Sequence, residues 1–351
     1  MSRTSAPHDL TRRSMLGRSA ALLAAVAAGG GVLSVARSAR GATSEVTFQL
    51  GWIMSNGQIG EVAGRSLGYF ESEGINLKFA PGGPNVDGVA VVASGSAQVG
   101  NLSSSPSLML AASQDIPVTC FAAGAQEHPY AFFSVKKNPI REPKDLVGKK
   151  VGIQATGVIL LRALLAKNKI PEKDVQIVTL GADMSPVLTG QVDCVTGWLT
   201  NTSAMKVLGA DMVAMRLWDT GVKLYALPYY ATANTIKTRG DVLAKYLRAS
   251  AKGWGFAYEP ANRDKAVEML VKEFPNLNAK DEREALDAML KFSFSPKTKT
   301  EGWGAMDPAV WQDQINLYAE LGQFSKRTPK LEEVMTLDIL KMTADARPKI
   351  G

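Results

Sequence analysis

Cysteine and histidine are scarce: the chain has two of each in 351 residues. His8 falls in a segment that reads as a leader, which leaves His128 as the one imidazole of the mature chain. A zinc cluster needs several His or Cys ligands, and a Cys-His relay or a Ser-His-Asp triad needs its histidine beside a nucleophile. These chemistries have almost nothing to build on, and neither a metal nor a cofactor is expected. Cys120 and Cys194 each lie in an apolar, strand-like segment, one in each half of the chain. Strands buried in separate lobes rarely bring two sulfurs within bonding reach, so both cysteines are expected to be unpaired core residues even in an oxidising compartment. Long apolar runs are missing too. The alanine-rich segment Ala20–Ala28 is too short to span a bilayer, and glycines follow it.

Ahead of that segment stands Thr11-Arg12-Arg13-Ser14-Met15-Leu16-Gly17, the layout of a twin-arginine export signal, and the expected location is the periplasm. Ser34 and Ala36 flank Val35 as a peptidase site, with Ala42 as the alternative. The leader also explains the charge. Residues 1–42 hold six arginines against Asp9, and the remainder carries 34 basic and 32 acidic side chains, a net of +2. The overall +7 therefore says little about nucleic acid or membrane partners, and no nucleic acid is expected.

What remains is an alternation of strand and helix patterns. Val46–Leu50, Asn76–Phe79 and Ala97–Gly100 read as strands, each followed by a loop and a helix. An extended aromatic stretch, Pro129–Val135, crosses to a second group with strands at Val151–Gln154, Val175–Leu180 and Val192–Trp198 and a leucine-rich helix at Val158–Asn168. The return crossing is Lys223–Asn234, and the helical patterns beyond it, among them Lys280–Phe292 and Pro308–Leu321, are expected to pad the first lobe. The predicted fold is α/β in two lobes, each a mostly parallel sheet flanked by helices, with ligand in the cleft at the strands' carboxyl ends. The expected boundaries are a leader over 1–42, a first lobe over 43–130 and 225–351, and a second over 131–224.

The order of several motifs points further. Trp52, Gly68-Tyr69-Phe70-Glu71-Ser72-Glu73-Gly74-Ile75, the glycine loop Gly82-Gly83-Pro84-Asn85, and Val92-Ala93-Ser94-Gly95-Ser96-Ala97-Gln98-Val99-Gly100 are followed by Lys144–Gly152, Gly190-Gln191-Val192-Asp193 and Gly302–Asp307. Together they resemble the substrate-binding proteins of thiamine-pyrimidine-precursor (NMT1/THI5-like), sulfonate and nitrate uptake systems. The resemblance implies a type II-like periplasmic binding protein, a monomer that captures a small molecule and hands it to the permease of an ABC importer. The same superfamily resembles pyrimidine-precursor synthases of thiamine biosynthesis; the export leader and the single mature histidine argue against that enzyme reading.

Candidate ligand groups fall on the loops after the strands. Ser103, Ser104 and Ser105 precede Pro106, where Ser105 is expected to cap a helix and the free amides of Ser107 and Leu108 to receive an acceptor. Their counterpart is Gln154-Ala155-Thr156-Gly157, with Thr156 as a cap and Gly157 allowing close backbone approach. Asp183, Trp198 and Asn201 close the same face, and Trp52, Gln58, Gly83 and Asn85 line the opposite one. His128, Tyr130 and Tyr229 lie at the crossings. Core packing is the alternative for each tryptophan and tyrosine, and plain helix capping for the serines. The glycine loop lacks the Gly-Lys-Ser/Thr ending of a nucleotide cradle. None of these loops carries an arginine able to clamp a carboxylate or sulfonate. A neutral or weakly basic heteroaromatic, such as a pyrimidine-type thiamine precursor, is therefore the expected ligand, with sulfonate, nitrate or an aromatic acid as alternatives.

Overall fold

The computed structural model describes residues 43–83 and 86–351; the arginine pair, the leader and Asn85 lie outside the described residues. Among the described residues ten strands form two five-stranded sheets. In chain order they are β1 (Ser44–Gln49), β2 (Ile75–Ala80), β3 (Val99–Asn101), β4 (Val118–Ala125), β5 (Tyr130–Val135), β6 (Lys150–Ile153), β7 (Gln176–Thr179), β8 (Cys194–Trp198), β9 (Met212–Arg216) and β10 (Ala226–Thr232). The first sheet runs β2-β1-β3-β10-β4 and the second β7-β6-β8-β5-β9.

Each sheet has three adjacent parallel strands and one reversed strand, β10 in the first and β5 in the second, set against an outer strand that runs with the rest. The reversal follows from connectivity. A strand arriving from the other lobe enters from the cleft, where the parallel strands end, and so must run against them. Each sheet is thus parallel in all but its crossing strand. The outer strand β9 has no counterpart in the sequence reading. Its residues alternate between buried Val213 and Met215 and more open neighbours, too short a pattern to separate from a loop.

Burial on both faces explains the apolar runs. All eight residues of β4 are buried although it is an edge strand. Later segments cover its free edge: the amide of Thr336 donates to the Cys120 carbonyl (2.9 Å), that of Ala123 to the Gly304 carbonyl (3.0 Å), and that of Gln126 to the Phe292 carbonyl (2.7 Å). An uncovered edge would invite pairing with another chain. The helices Gly240–Tyr258 and Arg263–Glu273 pack on Ile59–Ser66, behind the same sheet. Inside lie Trp254 stacked on Trp303 (5.4 Å between centroids) and Tyr229 stacked on Phe48 (5.8 Å). Cys120 and Cys194 are buried and unpaired, one in each sheet. Among the described residues no helix is long and apolar enough to cross a membrane.

Candidate functional site

Where the two sheets face each other the chain leaves a cavity of about 540 Å³. From the first sheet's side it is lined by the loop after β1, including Trp52 and Gln58, by Gly83, and by Ser103 and Ser104. His128 and Tyr130 line it at the crossing, and Gln154, Thr156, Gly157, Trp198 and Asn201 from the second sheet's side. Local geometry explains how these loops hold their places. After β1 the Gly51 amide donates to Asn101 Oδ1 (2.9 Å), and a Cβ on Gly51 would stand 2.3 Å from the Asn101 carbonyl oxygen. Ser55 Oγ then accepts from the Gly57 amide while Gln58 Oε1 accepts from the Ser55 amide, a reciprocal cap that fixes the turn and commits that oxygen of Gln58. Trp52 is left 39% exposed at the rim.

Several expectations are corrected here. Ser105 is fully buried and makes no side-chain cap: its hydroxyl donates to Gln314 Oε1 (2.6 Å) and accepts from the Tyr225 amide (3.2 Å), so it ties the helix start to the C-terminal helices, away from the cavity. The amides of Ser107 and Leu108 are not free, since they donate to the carbonyls of Ser104 and Ser105. Thr156 makes no cap, and Gly157 starts the Val158–Lys167 helix without one. The close approach at Gly157 is to protein: a Cβ there would lie 2.2 Å from the Tyr130 hydroxyl. Asp183 is exposed and turned onto Ser185, whose amide and hydroxyl hold its carboxyl below the usual range; its neighbours Ala182 and Met184 line the cavity instead. Tyr229 is buried in the first lobe's core, stacked on Phe48, at a register shift between Tyr229 and Tyr230.

Polar groups without partners gather on the cavity wall. His128 is buried; its Nδ1 accepts the Tyr130 amide (3.2 Å), which leaves the proton on Nε2, and Nε2 lies near the Ser103 backbone without a hydrogen bond of ordinary geometry. Burial pushes this imidazole down to about 3, with the Ser103 backbone only partly offsetting it, so it is neutral at physiological pH. The hydroxyls of Ser104 and Tyr130 are also buried and unpartnered. Trp198 packs edge-on against His128 (5.2 Å) and is half-buried, so one wall is both aromatic and rich in donors.

The helix Ala279–Ser293, expected to pad the first lobe, supplies part of the cavity wall. Its residues Asp281, Glu282, Ala285 and Met289 line the cavity. Asn278 caps the helix, and acidic residues in a first turn read as ordinary complements to the helix dipole, so no local signal marked them. Glu282 Oε2 accepts from both the amide (3.0 Å) and Nδ2 (3.1 Å) of Asn56. Burial raises its pKa against those bonds. Asp281 pairs instead with Lys206 from the second lobe. Among the described residues no arginine or lysine lines the cavity.

Similarity to known proteins agrees with this geometry. The formylaminopyrimidine-binding protein of Halalkalibacterium halodurans is 26% identical over 71% of this chain and 77% of its own length. A 4-amino-5-hydroxymethyl-2-methylpyrimidine phosphate synthase of Schizosaccharomyces pombe is 27% identical over 43% of this chain and 44% of its own. Among solved structures, the periplasmic aliphatic sulphonate binding protein SsuA from Escherichia coli superposes with a TM-score of 0.64 at 17% identity, covering 85% of this chain and 99% of that one, and this likeness shows a two-lobe periplasmic binding protein fold. The NMT1/THI5-like family model matches residues 56–263, more than half of the chain, and the protein belongs to that family.

Proposed function

We propose that this protein is an exported receptor that closes its two lobes, 43–130 with 225–351 and 131–224, on a small heteroaromatic molecule and delivers it to the permease of an ABC importer, without covalent chemistry. The observation that carries this reading is the cavity wall. Trp52 and Trp198 offer flat apolar faces, His128, Tyr130 and Ser104 offer polar groups without a hydrogen bond of ordinary geometry, and among the described residues no cation lines the cavity to hold an anion. Aromatic faces with a few convergent donors suit a nitrogen heterocycle, whose ring nitrogens accept hydrogen bonds. Similarity to a formylaminopyrimidine-binding protein supports a pyrimidine within that class. An exported protein acting as a monomer fits the leader pattern and the two-lobe fold. The synthase relative keeps an enzyme as the competing class.

Native mass spectrometry of freshly purified protein, with identification of any released molecule, tests the reading. A bound pyrimidine or related ring released unaltered supports it. A small non-aromatic oxyanion as the tight ligand, or conversion of the bound ring by the protein alone, overturns it.

A further inference from the structure

Among the described residues, one carboxylate of the cavity has no cation paired with it. Of the two acidic residues that line it, Asp281 is paired with Lys206 (3.0 Å). Among the described residues Glu282 has no cationic partner: Oε2 receives the two N–H groups of Asn56, and Oε1 has no hydrogen-bond partner. Its position is fixed from both sides, by the helix that carries it and by the capped turn Ser55–Gln58. The same cavity holds Nε2 of His128 and the hydroxyl of Tyr130, at 1% and 6% exposure, neither in a hydrogen bond of ordinary geometry, so the wall has polar capacity for a ligand. A fixed carboxylate in a half-dry cavity attracts N–H donors, most strongly cationic ones, and repels a second anion.

We infer that Glu282 sets the charge preference of the cavity, its free oxygen receiving an N–H group from an amino-substituted or protonated ring and excluding carboxylated or sulfonated ones. This rests on the proposed binding of a heteroaromatic ring and adds the substituent that the ring carries. Asn56 acts as a positioning residue that aims the carboxylate.

Three probes sharing the 4-amino-2-methylpyrimidine ring test the inference by calorimetry: the 5-aminomethyl form (cationic), the 5-hydroxymethyl form (neutral) and the 5-carboxylate (anionic). The wild-type protein should bind them in that order. Glu282→Gln keeps an acceptor for Asn56 while removing the charge. It should weaken the aminomethyl probe about tenfold, the step between a charge-assisted and a neutral hydrogen bond, and leave the hydroxymethyl probe within about twofold. Thermal melts establish that the variant is folded; should it not be, the wild-type order alone decides, since tightest binding of the carboxylate overturns the inference. An unchanged affinity of folded Glu282→Gln for the aminomethyl probe also overturns it while the ring reading stands. Binding of taurine with no binding of any ring overturns both.

Discussion

The sheets β2-β1-β3-β10-β4 and β7-β6-β8-β5-β9 follow one pattern, yet the chain covers them very differently. Helices from the last third of the sequence pack behind the first sheet and along its β4 edge, around Trp254, Trp303, Tyr246 and Tyr229. The second sheet has a smaller core on one face, built from residues such as Phe133, Met184 and Leu208. The inequality reaches the cavity. The second lobe contributes Trp198, hydroxyls and backbone from the ends of its own strands, whereas the first lobe adds carboxylates from a helix that its sheet pattern does not require. A repeated scaffold supplies the cleft, and the unrepeated padding supplies its charge.

The largest expected effect separates the two kinds of tryptophan. Trp303 is fully buried between Trp254 and Tyr229, so Trp303→Ala should cost about 3–5 kcal/mol of stability. Trp198 and Trp52 stand on the cavity wall, and their alanine variants should melt close to the wild type. Urea titration of the three variants checks the difference. A severe loss in Trp198→Ala would mean that the second lobe depends on its wall for a core.

Next is a carboxyl inside the first lobe. Glu61 is fully buried beneath β10 and faces Tyr229, Tyr246 and Ser250, none of whose hydroxyls makes a hydrogen bond of ordinary geometry with it. Burial dominates and raises it to about 7. A carboxyl raised on folding holds its proton in the native state, so its contribution is whole below pH 4.5 and is lost as pH rises towards 7. The loss should reach about 3 kcal/mol by pH 8. His128 works in the opposite sense, since an imidazole buried neutral loses stability as pH falls below 6.5. The clean measurement is therefore the wild type minus Glu61→Gln, in which His128 cancels. A difference that stays flat from pH 4.5 to pH 8 would show that Glu61 is solvated in the folded protein.

The first sheet's strands and the crossings were legible because a strand between turn residues has a period of its own, and because Tyr130 and Leu227 sit in apolar stretches too long for loops. The strand ends of both sheets were legible for the same reason: Trp52, Ser104, Gln154 and Trp198 all reach one cavity. Ser105 and Tyr229 were not, because a serine before proline and a tyrosine at a crossing look alike whether they face ligand or core. Only tertiary partners decide it, Phe48 for Tyr229 and the buried Gln314 for Ser105. Glu282 was invisible for another reason: its partner Asn56 lies more than two hundred residues away, and an acid in a helix's first turn has an ordinary local explanation.

At the cavity itself, Trp52→Ala and Trp198→Ala should each weaken binding of a stacked ring by about 1–3 kcal/mol, the range for stacking on aromatic side chains. Trp198 should matter more. It is half-buried and braced edge-on by His128, so less motion is lost on stacking than at the exposed Trp52. Calorimetry with 4-amino-5-hydroxymethyl-2-methylpyrimidine checks the order, and the reverse order would place the ring against the first lobe's rim.

The smallest energy bears on how the unequal lobes meet. Lys206 leaves the second lobe just after the Thr202–Met205 helix and reaches Asp281 (3.0 Å) and Glu284 (2.8 Å) on the first. All three side chains are two-fifths or more exposed, and such pairs contribute about 0–1 kcal/mol each. Lys206→Ala should therefore leave the melting temperature almost unchanged. An equilibrium between lobe arrangements is more sensitive than folding, because a bias of about 1 kcal/mol shifts its populations about fivefold. Small-angle scattering of the ligand-free variant at low salt should give a larger radius than the wild type. Raising salt should move the wild type towards the variant as the pair is screened. Equal radii at both salt concentrations would assign the lobe spacing to the crossings alone, where Leu227 holds a left-handed φ of 51° at the start of β10.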